Sequence, residues 1–169
     1  MKPYARVTVT DIDPGKREGA ERLGVRWVEP DEAVVTPGDV FAPCALGGVL
    51  DDDAVERLQV AVVAGAANNQ LLDSAMGDEL HRCSIVYAPD FVINAGGVIN
   101  IAEELGHPYD AERARASVER IAGTLTRVFE RSRQDGIATH IVADRLAEER
   151  IAAARASRPD AVAALHRPG

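Results

Sequence analysis

Small residues and carboxamides form three clusters that could hold a flat, polar ligand. The clusters span residues 41–48, 65–70 and 94–100, and each follows a segment with the pattern of a β-strand. Glycine and alanine let a ring or a backbone approach closely, and an amide offers a donor and an acceptor without charge. These properties suit a carboxamide or a polar ligand head. Taken singly, each cluster is equally compatible with an ordinary turn or a helix cap.

A carboxylate at the end of the first predicted strand is the fourth candidate. Asp11 follows residues 7–10, which are rich in β-branched side chains. In a dinucleotide-binding fold, an acidic residue there accepts hydrogen bonds from the adenosine ribose and disfavours a 2′-phosphate. An aspartate after a strand is also a common turn or capping residue, so both interpretations stay open.

Cysteine and histidine give no sign of metal chemistry. Cys44 and Cys83 have neither a metal-ligand spacing nor a disulfide framework, and the four histidines are scattered. Cys44 has two interpretations, a reactive thiol or a small buried apolar residue. We expect the buried residue, because no histidine or lysine neighbours Cys44 in sequence. We expect the histidines to be solvated and the protein to bind no metal.

The pattern of the elements that must position these residues predicts an α/β fold. Short apolar segments alternate with helical patterns, which indicates a parallel sheet covered on both faces. Open sheets of this kind bind ligands at the carboxyl ends of their strands, where all four candidates lie. The predicted strands span residues 7–10, 25–28, 39–42, 60–64 and 85–88. Between them we predict a helix that opens at Pro14 and closes at Gly24, and helices at 54–58 and 74–82.

The remainder of the chain predicts a helical segment. Apolar residues recur at helical spacing over residues 98–105, which predicts a helix ending at Gly106, then between Asp110 and Gly136, and again over 139–155. Asp110 suits an N-cap and Gly136 a C-terminal cap. The 169 residues suit one domain, which we expect to span residues 1–158 and to be followed by a tail, 159–169.

Composition excludes several classes of protein. The 19 basic and 27 acidic residues give a net charge of −8, which argues against a nucleic-acid or anionic-membrane binder. No apolar run approaches the roughly 20 residues that span a bilayer. The first residues carry no signal-peptide pattern, so we expect a cytoplasmic protein that binds neither membrane nor nucleic acid.

Several long motifs in a fixed order resemble the Glu/Leu/Phe/Val dehydrogenase family, and within it the leucine dehydrogenases most. The similarity runs from about Ala5 to about Arg155. It implies an incomplete Rossmann-like parallel sheet with flanking helices, which is the later part of an NAD-binding domain, followed by closing helices. The motifs are DVFAPCALG at 39–47, GAANNQL at 65–71, YAPDFVINAGGVIN at 87–100, DGI at 135–137 and ADRLAEERI at 143–151.

The resemblance also implies an activity and a set of site residues. Family members use NAD to deaminate branched-chain or related L-amino acids oxidatively, giving a 2-oxo acid and ammonia. By resemblance the cofactor would contact Asp11 and Ile12 at adenosine, Ala45 and Leu46 along its length, and Ala66, Ala67 and Asn68 at nicotinamide. The substrate would contact Asn68, Asn94 and Val98, with Val92 and Ala95 as further candidates for the side-chain pocket.

What the chain lacks limits that activity. The glycine fingerprint expected before the first strand is absent, and Lys2 and Lys16 are the only lysines, neither in the context of the family's catalytic lysines. We therefore expect an N-terminally truncated dehydrogenase that is inactive alone and binds NAD no tighter than about millimolar. The alternative is a non-catalytic interaction module, whose unpaired strand edge would bind a complementing N-terminal half or a second copy.

Overall fold

Five short parallel strands form two sheets in the first part of the protein. β1 (Thr8–Val9) pairs with β2 (Arg26–Trp27). The second sheet has the order β3 (Val40–Phe41), β4 (Val62–Val63), β5 (Val86–Tyr87). All five strands lie inside the predicted segments, which confirms the α/β fold class with parallel sheets.

The structure is a computed structural model that describes residues 5–105 and 108–157. These fall into two compact units, divided after Asn94. The predicted tail, 159–169, and the predicted helix end at Gly106 lie outside the described residues. The proposed domain limit at residue 158 stays a prediction.

Helices connect the strands of the first unit, and aspartates cap three of them. Asp13 accepts a hydrogen bond from the Gly15 N–H at the start of a 3₁₀ turn, while Asp51 and Asp73 cap the helices that follow β3 and β4. The elements are the 3₁₀ turn Pro14–Lys16, α1 (Arg17–Arg22), α2 (Pro30–Ala33), α3 (Asp52–Arg57), α4 (Ser74–Arg82) and α5 (Asp90–Ile93).

Two of these helices, α2 and α5, were not predicted. Each has four residues, which is too short for apolar periodicity to register. Pro30 opens α2, and the Glu29 and Glu32 side chains form a reciprocal capping box at its start. Local capping chemistry, not a repeating pattern, therefore defines α2.

The hydrophobic core of the first unit lies at the second sheet. It brings together side chains from β4, β5, α3, α4 and the loop after β3. Burial of this apolar surface holds the three strands and their two helices together. The buried members are Leu50, Val55, Val63, Met76, Leu80, Ile85 and Tyr87.

The second unit consists of α6 (Gly96–Ala102), α7 (Ala111–Asp135) and α8 (Thr139–Ser157). Asp110 caps α7 by accepting from the Glu112 and Arg113 N–H groups, and Gly136 ends it at a φ of 67°, as predicted. Helix α7 packs against both α6 and α8. His140 is buried at the start of α8, so the expectation that every histidine is solvated was wrong there. None of the described helices is long and apolar enough to cross a membrane.

Candidate functional site

The loops that follow β3 and β4 run side by side. The Ala67 N–H donates to the Pro43 carbonyl at 2.9 Å, and the Gly48 N–H donates to the Asn69 carbonyl at 2.7 Å. A further bond, from the Leu50 N–H to the Gln70 carbonyl at 3.1 Å, continues the contact. The first two predicted clusters are therefore one surface, because backbone bonds join them along their length.

Two glycines make this close approach possible. A Cβ at Gly65 would lie 2.5 Å from the Pro43 nitrogen and 2.7 Å from its carbonyl carbon, and closer still to its oxygen. A Cβ at Gly47 would lie 2.7 Å from the Asn68 carbonyl oxygen. Real side chains do not approach backbone atoms so closely, so only glycine lets the two loops meet.

The third cluster contributes Asn94 to the same surface. Its Nδ2 donates to the Asn68 Oδ1 at 2.6 Å and to the Ala67 carbonyl at 3.2 Å. Asn94 ends α5, directly after β5, so residues from the ends of three adjacent strands converge as predicted. The rest of that cluster, from Ala95 on, belongs to the second unit, as does Val98, which is exposed.

The amide pair leaves one donor available. Because the Asn68 Oδ1 accepts from Asn94, the Asn68 Nδ2 is the group left for a ligand; it donates to no residue that the structure describes. Asn68 and Ala66 are exposed, while Ala67 is buried and offers the loop its carbonyl. The surface thus combines a small apolar contact with an uncharged donor, which suits a flat carboxamide ring.

A buried polar cluster, formed by Gln70, Asp90 and Tyr87, lies in the same unit. The Gln70 Nε2 donates to the Gly65 carbonyl at 2.8 Å and to the Ala67 carbonyl at 2.9 Å. Asp90 accepts from the Gln70 N–H at 2.9 Å, and its own N–H donates to the Tyr87 hydroxyl. Burial raises the pKa of that hydroxyl above its ordinary value, so it stays protonated.

This cluster corrects one sequence interpretation and adds a residue. Gln70 was grouped with Asn68 and Asn69 as an amide offered to a ligand, but it is fully buried and binds the backbone. Asp90 was not singled out, although a carboxylate directly after Pro89 in a run of apolar residues was a usable signal. Cys44 was also wrongly expected to be buried; it is exposed, because the loop after β3 projects it outward.

Asp11 lies at the end of β1 and is held by its own turn. Its Oδ1 accepts from the Asp13 N–H at 2.9 Å, and its Oδ2 accepts from Lys16 Nζ at 3.1 Å. These two interactions, the backbone bond first, hold the pKa of the carboxyl below its ordinary value. The neighbouring Ile12 is exposed. A charged acceptor beside an exposed apolar side chain suits a ribose and an adenine ring.

Removing the Lys16 ammonium is expected to raise the pKa of Asp11. In Lys16→Gln the backbone bond from Asp13 remains but the ion pair is lost, so the carboxyl should protonate at higher pH. A depressed pKa stabilises the fold above the ordinary value of aspartate, and this contribution disappears as the pH falls. An NMR titration of the Asp11 carboxyl measures the shift. Arg22→Gln, which removes a partner of Glu18 instead, should leave Asp11 unchanged; an unmoved pKa in Lys16→Gln would contradict the assignment.

Comparison with known proteins gives a consistent result. The sequence pattern of the Glutamate/Leucine/Phenylalanine/Valine dehydrogenase family matches residues 7–158. A leucine dehydrogenase of Bacillus subtilis (strain 168) is 52% identical over 155 residues, which cover 91% of this chain and 42% of the relative. A valine dehydrogenase of Streptomyces virginiae is 44% identical over 159 residues, covering 92% of this chain and 44% of the relative.

A solved structure is similar as well. The crystal structure of L-tryptophan dehydrogenase from Nostoc punctiforme matches with a TM-score of 0.83 and 44% identity. The match covers 89% of this chain and 46% of that one. The chain therefore spans less than half the length of the relatives that it resembles.

Proposed function

The chain belongs to the Glu/Leu/Phe/Val dehydrogenase family, and we propose on that premise that it is the cofactor-binding part of an NAD-dependent L-amino-acid dehydrogenase. The substrate class is leucine or a related branched-chain amino acid, and the protein is cytoplasmic. The observation that carries the proposal is that Asn68 and Asn94 meet on the carboxyl side of three parallel strands. The Asn94 Nδ2 donates to the Asn68 Oδ1 at 2.6 Å.

Each end of the cofactor has matching residues. Asp11 and Ile12 hold the adenosine end, Ala45 and Leu46 lie along the cofactor, and Ala66, Ala67 and Asn68 hold nicotinamide. Asn68 and Asn94 contact the amino acid; the resemblance to the family adds Val98, a residue of the second unit. The exposure of Ile12, Leu46, Ala66 and Val98 supports their roles, since a ligand must reach them, whereas the burial of Ala67 does not favour its role.

The chain's own residues bind and orient but do not move protons. NAD, when bound, supplies the hydride acceptor for oxidation of the amino acid at its α-carbon. Asn68 donates a hydrogen bond from an uncharged amide, and Asn94 fixes the direction of that amide. Deamination also needs a base for the substrate ammonium group. The 169 residues contain two lysines, and one of them, Lys16, forms an ion pair with Asp11. We therefore propose that this chain alone is inactive.

The isolated chain is expected to produce no NADH from L-leucine or L-valine with NAD, while still binding NAD at about millimolar affinity, about −4 kcal/mol. Absorbance at the NADH band measures turnover, and NMR titration measures binding. An active leucine dehydrogenase, assayed in parallel, is the positive control for the reagents. Clear NADH formation would contradict the inactivity, and complete absence of binding would contradict the cofactor role.

A second function, as an interaction module, is favoured by the strand edges. Among the described residues β1 pairs only with β2, and β3 pairs only with β4, so each has one edge without a ladder. Val40 of β3 is 54% exposed. Such edges pair readily with another strand, here from a complementing N-terminal half or a second copy. Size-exclusion chromatography with light scattering tests self-association. A well-behaved monomer would count against the interaction module.

A further inference from the structure

We infer that Gln70 and Asp90 form a positioning pair that sets the Asn68 and Asn94 amides at the nicotinamide end, a role that rests on the proposed function. Neither residue is open to a ligand: Gln70 is 0% exposed and Asp90 is 7% exposed. Their influence must therefore act through the atoms they hold. Those atoms belong to the two loops that carry the amides.

Gln70 fixes the loop that carries Asn68. Its Nε2 bonds two carbonyls, those of Gly65 and Ala67, and so closes the segment between them into one conformation. Two acceptors that face one nitrogen require a group with two N–H bonds. A glutamine amide provides them, whereas an ionised glutamate or an apolar side chain of the same length cannot. The chemistry of the position is therefore specific to an amide.

Asp90 links this loop to the helical turn that carries Asn94. One carboxylate oxygen accepts from the Gln70 N–H at 2.9 Å and the other from the Phe91 N–H at 2.8 Å. The Asp90 carbonyl also accepts from the Asn94 N–H at 2.9 Å. One residue thus holds the backbone at both Gln70 and Asn94, which are 24 positions apart in sequence (94 − 70).

The two halves of the network meet at a single atom. The Ala67 carbonyl accepts from the Gln70 Nε2 at 2.9 Å and from the Asn94 Nδ2 at 3.2 Å. Since the Asn94 Nδ2 also bonds the Asn68 Oδ1, a shift of that carbonyl changes the direction of both amides. Removing the Gln70 amide should therefore alter the ligand surface without removing any ligand contact.

The test compares Gln70→Met with Gln134→Met in the full 169-residue chain. Gln134 is an exposed glutamine of α7, so the same chemical change there is the matched control. In Gln70→Met the side-chain NH₂ resonances of Asn68 and Asn94 should move toward free-amide values. NAD affinity should fall roughly three- to tenfold, because a misdirected Asn68 amide would weaken one hydrogen bond to nicotinamide. AMP affinity, which reports the Asp11 end, should stay unchanged.

These readouts separate the pair from the proposed function. If the unaltered chain bound AMP and NAD equally, the nicotinamide role would fail, yet the Asn68 and Asn94 resonances would still report positioning. A folded Gln70→Met with unchanged amide resonances would overturn the inference, as would an equal loss of AMP and NAD affinity. If Gln70→Met does not fold, Asp90→Asn is the second test variant, because it replaces one accepting oxygen of the carboxylate by an NH₂ donor. In Asp90→Asn the side-chain resonances of Asn68 and Asn94 must also shift. Unchanged resonances would overturn the inference that Gln70 and Asp90 position these amides.

Discussion

Gly65→Ala is expected to lower the free energy of unfolding by about 3 kcal/mol, the upper range for added volume in a packed site. The added methyl would lie 2.5 Å from the Pro43 nitrogen and 2.7 Å from its carbonyl carbon. These are backbone atoms, so no side-chain rotation can relieve the overlap. The loops after β3 and β4 must separate instead, which breaks the 2.9 Å bond from the Ala67 N–H to the Pro43 carbonyl.

Urea unfolding followed by circular dichroism measures this loss, and Gly123→Ala is its control. Gly123 lies within α7, and a Cβ there would meet no atom within 4 Å. The same substitution should stabilise the chain by up to about 1 kcal/mol, because alanine is the better helix former. Equal changes at the two positions would mean that the contact with Pro43 does not constrain the loop.

Leu80→Ala is expected to lower the free energy of unfolding by about 2–5 kcal/mol, the usual range for a buried leucine. Leu80 is 0% exposed and packs from α4 into the core with Leu50, Val63 and Tyr87. Alanine would leave a cavity beside β4 and β5, the strands whose carboxyl ends carry Asn68 and Asn94. The loss of contacts therefore weakens the support of the site as well as the fold.

The matched control for Leu80 is Leu72→Ala. Leu72 lies in the loop before α4 and is 60% exposed, so its truncation should change stability by no more than about 0.5 kcal/mol. Thermal and urea denaturation of the two variants give the comparison. A cost at Leu80 as small as that at Leu72 would contradict the position of α4 against the sheet.

Local chemistry made much of the fold predictable. The β-branched segments located all five strands, and Asp110 and Gly136 marked both ends of α7. Helix α4 has the predicted limits, residues 74–82, because its start is capped by Asp73 and apolar spacing marks its buried face. The motifs also pointed to the family that matches residues 7–158. In each case the deciding residues lie within a few positions of one another.

Contacts distant in sequence decided the rest. Nothing near Gln70 distinguishes its amide from that of Asn69. The Gln70 amide bonds the Gly65 and Ala67 carbonyls, and the Gln70 backbone N–H is held by Asp90, 20 residues later. The close approach of the loops after β3 and β4, which Gly65 permits at Pro43, also joins residues more than 20 positions apart. Sequence patterns indicated which loops meet but not which side chain of a loop faces the interior.

Of the residues that the structure describes, none before Phe41 belongs to the core of the second sheet, and this has a dynamic consequence. Strands β1 and β2 contribute two paired residues each, and a two-stranded ladder has little stability of its own. Native-state breathing should therefore begin in the segment that carries Asp11, while the Asn68 and Asn94 region keeps its order. A dinucleotide bound as proposed would then meet a rigid contact at Asn68 and a more mobile one at Asp11.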